Sequence, residues 1–281
     1  MLNCKIISDS SSDLLMLDDG AYACVPLKII TDDKEYVDDS GLNVSNMVEE
    51  LLKYKGTSKS SCPNSLDWKE AFEDYDCVFC VTITSNLSGS FNAANLALSE
   101  YLSEHPEKQG YVVDSLSAGP EVALLIEKLR ELVSRELSFE EIVEKIKTYQ
   151  SKTHLLFALE SLRNLANNGR VSNAVAKIAG LLGIRVIGKA SAEGTLEIIS
   201  KAKGEKKAQA EIFKNMMING YYGGKVRIHH CQNLQAAEAI QEAIKAEYPN
   251  ASVVITETRG LCSFYAESGG ILIGFEGKCG A

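Results

Sequence analysis

The stretch Thr84-Ser85-Asn86-Leu87-Ser88-Gly89-Ser90-Phe91 lies between an apolar run at 77–83 and a helix-favouring segment at 92–102. The apolar run predicts a buried strand, and the Ser/Asn/Gly turn is typical of the start of a helix. A helix N-terminus carries unpaired N–H groups and partial positive charge, so this turn favours a bound phosphate or carboxylate. The alternative is purely structural, with Ser88 or Ser90 capping its own helix.

The order of strand, polar turn and helix recurs through the first half of the chain. Polar turns of this kind contain Ser10, Ser60, Ser88 and Ser115, and the one at Ser60 is a hydroxyl-rich loop over 57–65. The alternation predicts an α/β fold with a mostly parallel sheet and helices on both faces. Because the C-terminal ends of parallel strands share one edge of a sheet, we expect these turns to converge there.

The second half of the chain has a different texture. Segments 184–187 and 195–200 predict a hairpin whose turn is Ala192-Glu193-Gly194, and an apolar helix is expected at 174–182. Further strands and helices follow, which predicts a second α/β domain. We place the boundary near residue 150 and expect domains at 1–152 and 153–281.

Composition limits the classes of function. The chain has 281 residues, 45% of them apolar and 24% charged, with a net charge of −9, which argues against binding to nucleic acid or to an anionic membrane. Residues 1–8 do not read as a signal peptide, and no apolar run is long enough for a membrane span. The eight cysteines are scattered, so we expect reduced thiols and a cytoplasmic protein.

Several signatures of catalysis are missing from the sequence. There is no Gly-x-Ser-x-Gly elbow, no phosphate-binding P-loop and no Gly-x-Gly-x-x-Gly, and no histidine occurs in a metal-ligand pattern. We therefore expect no catalytic residue, no metal and no cofactor. What remains is a set of hydroxyl groups, with Arg170 in a Gly-Arg-Val-Ser turn. Hydroxyls and backbone amides can hold an anion without a fixed ion pair, which indicates a site for binding an acid rather than for cleaving it.

Several motifs, taken in order, resemble the DegV family over essentially the whole chain. They are Ser8-Asp9-Ser10-Ser11-Ser12-Asp13-Leu14, Val25-Pro26-Leu27, Ser60-Ser61-Cys62-Pro63-Asn64, Leu87-Ser88-Gly89-Ser90-Phe91, Asp114-Ser115-x-Ser117-x-Gly119 and Asn168-Gly169-Arg170-Val171-Ser172. No single motif is decisive, but their order and spacing make the set specific.

The resemblance implies a bacterial, lipid-binding protein of two domains with a long-chain fatty acid in the cleft between them. Hydroxyls at Ser60 and Ser88 are implied to hold the carboxylate, with Ser61 and the amides of Gly89 and Ser90 nearby. A separate ATP-dependent kinase subunit is implied to convert that carboxylate into an acyl phosphate. Arg170 lies in a motif associated with the surface shared with this kinase.

The sequence departs from the family pattern near its C-terminus. Many relatives have a histidine that reaches the carboxylate, and Ala266 stands at the corresponding position here. Tyr265 is the hydroxyl donor that can replace it, and Glu267 would repel a carboxylate if it faced the cleft. The missing histidine bears on the transfer to a kinase more than on lipid binding.

Three functions are consistent with the sequence. The first is a fatty-acid-binding protein that presents the acid to a kinase partner and is not itself an enzyme. The second is a stand-alone enzyme acting on a small anionic substrate at the same turns. The third is a lipid-sensing regulatory module, which the altered C-terminal segment leaves open.

Overall fold

The computed structural model describes residues 3–17, 20–72, 75–172, 174 and 183–278. The strands are β1 Cys4–Asp9, β2 Tyr22–Val25, β3 Lys28–Thr31, β4 Glu35–Val37, β5 Ser58–Ser61, β6 Cys77–Thr82, β7 Gln109–Asp114, β8 Thr153–Leu159, β9 Ile184–Ala190, β10 Leu196–Lys203, β11 Lys225–His230, β12 Ser252–Glu257 and β13 Ile271–Glu276. The helices are α1 Val44–Lys53, α2 Ser65–Glu70, α3 Ser90–Glu104, α4 Pro120–Val133, α5 Phe139–Gln150, α6 Arg163–Asn167, α7 Glu205–Ile218, α8 Leu234–Glu247 and α9 Gly260–Ala266, with a 3-10 turn at Ser10–Ser12. The helix expected at 174–182 lies outside the described residues except for Ala174.

The first sheet is parallel, as the sequence predicts. Its strand order is β2-β1-β6-β7, and every residue of β1 and β6 is buried. Such near-continuous apolar strands are typical of a sheet that is covered by helices on both faces. This sheet places the ends of β1, β6 and β7 along one edge.

The second sheet is mixed and has six strands. Its order is β10-β9-β8-β13-β11-β12, in which only β11 and β12 pair in parallel. The expected hairpin is present as β9 and β10, with Gly194 at a φ of +79° in its turn. The two sheets and their helices form the mixed α/β architecture that the sequence predicts.

A third, three-stranded sheet was not anticipated. Its antiparallel order is β4-β3-β5, and β5 occupies part of the segment expected to be a loop at 57–65. Segment 21–30 forms two strands that belong to different sheets. Its first part, β2, joins the parallel sheet and its second part, β3, pairs with β5, because Pro26 lies between them and cannot donate to a ladder.

Helix α4 lies between the two larger sheets. Val122, Leu124, Leu125 and Ile126 are almost completely inaccessible to solvent, and the helix contacts strands of both sheets. Gly274 of β13 allows this close approach, because a Cβ there would lie 2.6 Å from backbone atoms of Pro120 and Glu121. The sheets are therefore packed on a shared helix whose residues 120–126 are all buried.

Two further findings concern the expectations from composition. Cys4 and Cys77, which are partners in the register of β1 and β6, form a disulfide, so the expectation of reduced thiols is wrong for this pair. Cys80 lies on the same strand as Cys77 and is buried on the opposite face. Within the described residues, no helix is long and apolar enough to cross a bilayer.

Candidate functional site

A largely apolar cavity lies between the edge of the parallel sheet and the face of the six-stranded sheet. It contains about 680 Å³ of space not filled by atoms, including its open mouth. Its apolar wall consists of Leu27, Ile83, Leu87, Ala118, Leu155, Phe157, Leu159, Leu165, Leu196, Leu261, Ala266 and Leu272. Such a lining is typical of a site for a mostly apolar ligand.

One face of strand β8 forms the longest continuous part of this wall. Leu155, Phe157 and Leu159 alternate along the strand, so all three side chains point into the cavity. Gly188 of the neighbouring strand makes room for the Phe157 ring, because a Cβ there would lie 2.2 Å from its Cζ atom. The three side chains span about 13 Å along β8, and we refer to the cavity along this strand as the slot.

Polar side chains are grouped at one end of the slot. The Ser60 Oγ atom lies 2.7 Å from the Tyr265 hydroxyl, and the Arg170 guanidinium carbon lies 5.9 Å from the centre of the Tyr265 ring. Arg170 Nε donates to the carbonyl oxygen of Leu87 at 3.2 Å, next to Ser88. All of Ser60, Ser88, Arg170 and Tyr265 line the cavity. Three hydroxyls and one guanidinium therefore meet at the mouth of an otherwise apolar slot.

The charge at this end favours an anion. Within the described part of the chain, Arg170 donates to backbone carbonyls of Leu87 and Asn168 and has no carboxylate partner. Burial raises the pKa of Tyr265 above its usual value, so its hydroxyl keeps its proton and can donate at neutral pH. Helix α3 also begins here, with no acidic residue in its first turn. A carboxylate at this point meets only donors and positive charge.

The remaining residues of the predicted head-group site lie beside the cavity rather than in its described wall. Ser61 donates its hydroxyl to the Cys62 carbonyl at 3.3 Å, and Ser90 donates its hydroxyl to Asp9 at 2.6 Å. The Ser90 amide donates to Ser88 Oγ at 3.3 Å, which is the capping contact weighed as the structural alternative. Gly89 is exposed at the start of α3. Ser88 thus caps its helix and lines the cavity at the same time.

The turns that contain Ser10, Ser88 and Ser115 meet at the edge of the parallel sheet as expected, because Ser90 donates to Asp9 and the Thr84 amide donates to the Ser117 carbonyl, but two of the three serines lie outside the described cavity wall. Ser10, Ser11 and Ser12 are fully buried and form no part of the described cavity wall. Ser115 donates its hydroxyl to the Ser117 carbonyl at 3.0 Å and lines a different cleft. Ser60 does reach the cavity, but it comes from the antiparallel sheet rather than from the edge of the parallel one. Of the four serines, Ser60 and Ser88 line the cavity.

The buried turn at Ser10–Ser12 links the parts of the molecule. Asp9 accepts hydrogen bonds from Ser11, from the Ile83 amide at 3.0 Å and from Ser90. Asp13 Oδ2 lies 2.7 Å from His229 Nδ1 of β11, and Asp13 Oδ1 accepts from the Arg259 amide at 2.7 Å. The two Asp13 contacts join residues more than 200 positions apart in the sequence. We refer to residues 9–13 as the linking turn.

Asp38 extends the same network to helix α9. Its carboxylate accepts hydrogen bonds from the amides of Gly260 and Leu261, at 2.7 and 2.8 Å, at the start of that helix. Burial raises the pKa of Asp38 to about 6. Because α9 carries Tyr265 and Ala266 into the cavity wall, Asp38 positions the C-terminal side of the polar mouth.

The C-terminal departure from the family pattern has a definite geometry. Ala266 lines the cavity, and Tyr265 places its hydroxyl on Ser60. Glu267 turns away, because its carboxylate accepts from Ser161 Oγ at 2.8 Å and from the Asn164 amide at 3.2 Å. The repulsion considered from the sequence is therefore relieved.

The chemistry of this site is binding rather than bond cleavage. Cys262 lines the cavity, but burial raises its pKa well above the usual value, which leaves it a poor nucleophile. His229 is bonded through Nδ1 to Asp13 and is not part of the described cavity wall. No cluster of three His, Cys, Asp or Glu side chains suited to a metal occurs among the residues that the structure describes. Sequence reasoning missed most of the apolar wall and the linking contacts, because both depend on pairing between distant segments.

Known proteins resemble this chain over nearly its full length. A DegV domain-containing protein of Streptococcus pneumoniae is 45% identical over 276 residues, covering 97% of this chain and 98% of that protein. The structure of the S. pneumoniae fatty acid kinase B3 protein loaded with linoleic acid has a TM-score of 0.96 and 44% identity, covering 99% and 100% of the two chains. A DegV family protein of Eubacterium eligens loaded with heptadecanoic acid also has a TM-score of 0.96, with 43% identity and coverage of 98% and 100%.

A family model described as "Uncharacterised protein, DegV family" matches residues 3–277. The match extends from β1 to the end of β13 and so includes both larger sheets. It also contains the linking turn, the turn at Ser88 and helix α9. The chain belongs to the DegV family.

Proposed function

We propose that this protein binds a long-chain fatty acid in the slot along β8 and presents its carboxylate to a separate fatty acid kinase subunit. The observation that carries the proposal is the division of the cavity into a long apolar wall and one polar mouth. Burial of an acyl chain contributes about 0.8 kcal/mol per methylene, so the slot supplies the affinity and the mouth supplies the orientation. The similar S. pneumoniae and E. eligens proteins, which were solved with linoleic and heptadecanoic acid, support it.

In this proposal, Ser60 and Ser88 hold the carboxylate and Tyr265 adds a third hydroxyl. Ser61, Gly89 and Ser90 complete the surroundings, the last two through amides at the start of α3. Arg170 balances the negative charge and lies at the mouth, which is where a kinase partner has to approach the bound acid. Hydrogen bonds from neutral hydroxyls hold the carboxylate while leaving an oxygen available for phosphorylation by that partner.

The chain itself contributes binding and not catalysis, and the fatty acid is its ligand rather than a cofactor. We place this function in the cytoplasm, where a kinase has access to ATP. We also propose that the two halves that hold the acid correspond to residues 1–152 and 153–281. Thr153 is the first residue of β8, the strand that forms part of the wall of the slot.

Two assays test the proposal. Native mass spectrometry of the purified protein should show a bound mass in the fatty acid range, and delipidated protein should take up added oleic acid. Incubation with ATP and fatty acid should give acyl phosphate only when the ATP-binding subunit of a bacterial fatty acid kinase is added. A protein that stays free of lipid at saturating oleic acid would refute the binding role.

The second assay also separates the other candidate functions. Turnover by the chain alone would assign it as a stand-alone enzyme. A lipid-sensing module would bind fatty acid but give no acyl phosphate, even with a kinase subunit that works with another DegV protein. The replacement of the family histidine by Ala266 makes this comparison informative.

A further inference from the structure

A second and larger cleft lies behind the far end of the slot. It contains about 1620 Å³ of space not filled by atoms, including its open side, and its lining includes Leu116, Glu121, Lys189 and Ser191. Of the described residues, Leu155 alone lines both this cleft and the apolar slot. The two spaces are therefore neighbours, and one side chain of β8 stands between them.

The β9–β10 hairpin completes the separation. A Cβ at Gly194, in the tip, would lie 2.2 Å from Thr84 Oγ1 and 2.9 Å from the Leu116 Cα atom, so the tip rests directly on the loops of the parallel sheet. Asn86 Nδ2 also donates to the Glu193 carbonyl at 2.5 Å. The tip is held by several contacts at once, whereas Leu155 is a single side chain of the partition that one substitution can shorten.

Leu155 lies at the end of the slot that is opposite the polar mouth. Leu159 shares a hydrophobic cluster with Tyr265, which belongs to the polar mouth. Leu155 is four residues earlier in β8, about 13 Å away. It pairs in register with Gly274, which packs on Pro120 and Glu121, and Glu121 lines the second cleft. An acid held by its carboxylate at Ser60 thus points its tail at Leu155.

We propose that Leu155 is the end wall of the acyl slot and sets the longest fatty acid that the protein accepts. The inference rests on the proposed function and goes beyond it by assigning chain-length selection to one residue. Shortening this side chain joins the slot to the cleft, so the tail of a longer acid extends into space that is already present. Enlarging it shortens the slot from the same end.

The test compares Leu155→Ala with Leu159→Ala. Both substitutions remove the same atoms from the same face of β8, and both residues are 3% exposed, but only Leu155 borders the cleft. Each delipidated protein is offered an equimolar mixture of even-numbered saturated acids from myristic to behenic acid. The bound masses are then read by native mass spectrometry, with circular dichroism as the check on folding.

We expect Leu155→Ala to move the preferred acid to a chain longer by two or more carbons, with relative occupancy of the longest acids raised about tenfold. Leu159→Ala should weaken all acids by similar factors and leave the preferred length unchanged. Leu155→Phe, which keeps the wall filled, should move the preference towards shorter acids. Parallel length profiles for all three variants would overturn the inference. Wild-type protein that binds none of the acids would instead overturn the proposed function.

Discussion

Two serine-rich turns of this protein have similar compositions and opposite uses. In the linking turn, the hydroxyls and carboxylates of residues 9–13 are buried and bonded to other parts of the protein. In the turn at Ser88, one hydroxyl faces an apolar cavity at the start of a helix. A polar turn can therefore bind a ligand when some of its hydrogen-bond donors have no partner elsewhere in the fold.

The largest effect is expected when the linking turn is broken. Asp9→Ala removes an acceptor shared by Ser11, Ser90 and the Ile83 amide, and leaves those donors buried without a partner. We expect the free energy of unfolding to fall by about 3–5 kcal/mol, measured by urea denaturation. Asp33→Ala, at an exposed position, is the control and should change it by less than about 0.5 kcal/mol. A loss of similar size in both variants would contradict the role of the linking turn.

The next prediction concerns Glu121, a buried carboxyl that has fewer hydrogen-bond donors than Asp9. Glu121 accepts from Thr153 Oγ1 at 2.8 Å, and burial raises its pKa to about 7. Since the folded state favours the protonated form, the stability that Glu121 contributes is complete below about pH 4.5 and is lost as the pH rises through 7. Between these values, unfolding free energy should fall by up to about 3 kcal/mol more in the wild type than in Glu121→Gln.

Denaturation curves at a series of pH values measure this difference. The Gln variant keeps the acceptor for Thr153 and has no carboxyl proton to lose. Equal pH dependence in the two proteins would show that Glu121 keeps an ordinary pKa in the fold.

The turn at Ser88 should respond in binding rather than in stability. Ser88→Ala removes a hydroxyl donor from the polar mouth, so we expect fatty acid affinity to fall by about 1–3 kcal/mol, as measured by isothermal titration. Ser85→Ala is the matched control, because Ser85 belongs to the same turn but not to the described cavity wall. Unchanged affinity in Ser88→Ala, or an equal loss in both variants, would place the carboxylate elsewhere.

The smallest effect is expected for the residue beside the missing histidine. Tyr265→Phe removes the hydroxyl that lies 2.7 Å from Ser60 Oγ but keeps the ring beneath Arg170. We expect a loss of about 0.5–1.5 kcal/mol in fatty acid affinity, read in the same titration. A loss larger than that of Ser88→Ala would make Tyr265 the principal head-group donor.

The sequence predicts the regular parts of the fold well, because their signals are local. The strand at 77–83 and the helix after Ser88 both depend on neighbouring residues, and the structure contains each of them. The strand at Ser58–Ser61 could not be predicted, since four polar residues of low strand propensity are extended only by pairing with β3.

The residues of the candidate site also differ in how far local sequence predicts their contacts. Ser60, Ser88 and Tyr265 carry chemical signals in the sequence and line the cavity, and Arg170, which the family resemblance assigns to a partner surface, lines it as well. Ser90 has the same signal, but its hydroxyl is bonded to Asp9, which lies 81 positions away in the sequence. The pairing of Asp13 with His229 is equally invisible, because nothing near either residue reveals its partner.

The linking turn has one more consequence, which concerns the entropy of ligand binding. Asp13 joins the loop after β1 to β11, and Asp38 joins the end of β4 to α9, so hydrogen bonds within the protein hold together the elements that line the slot. Little ordering entropy is then lost on loading, so affinity reflects the acyl chain itself. The protein is in this sense a preorganised receptor rather than one that folds around its cargo.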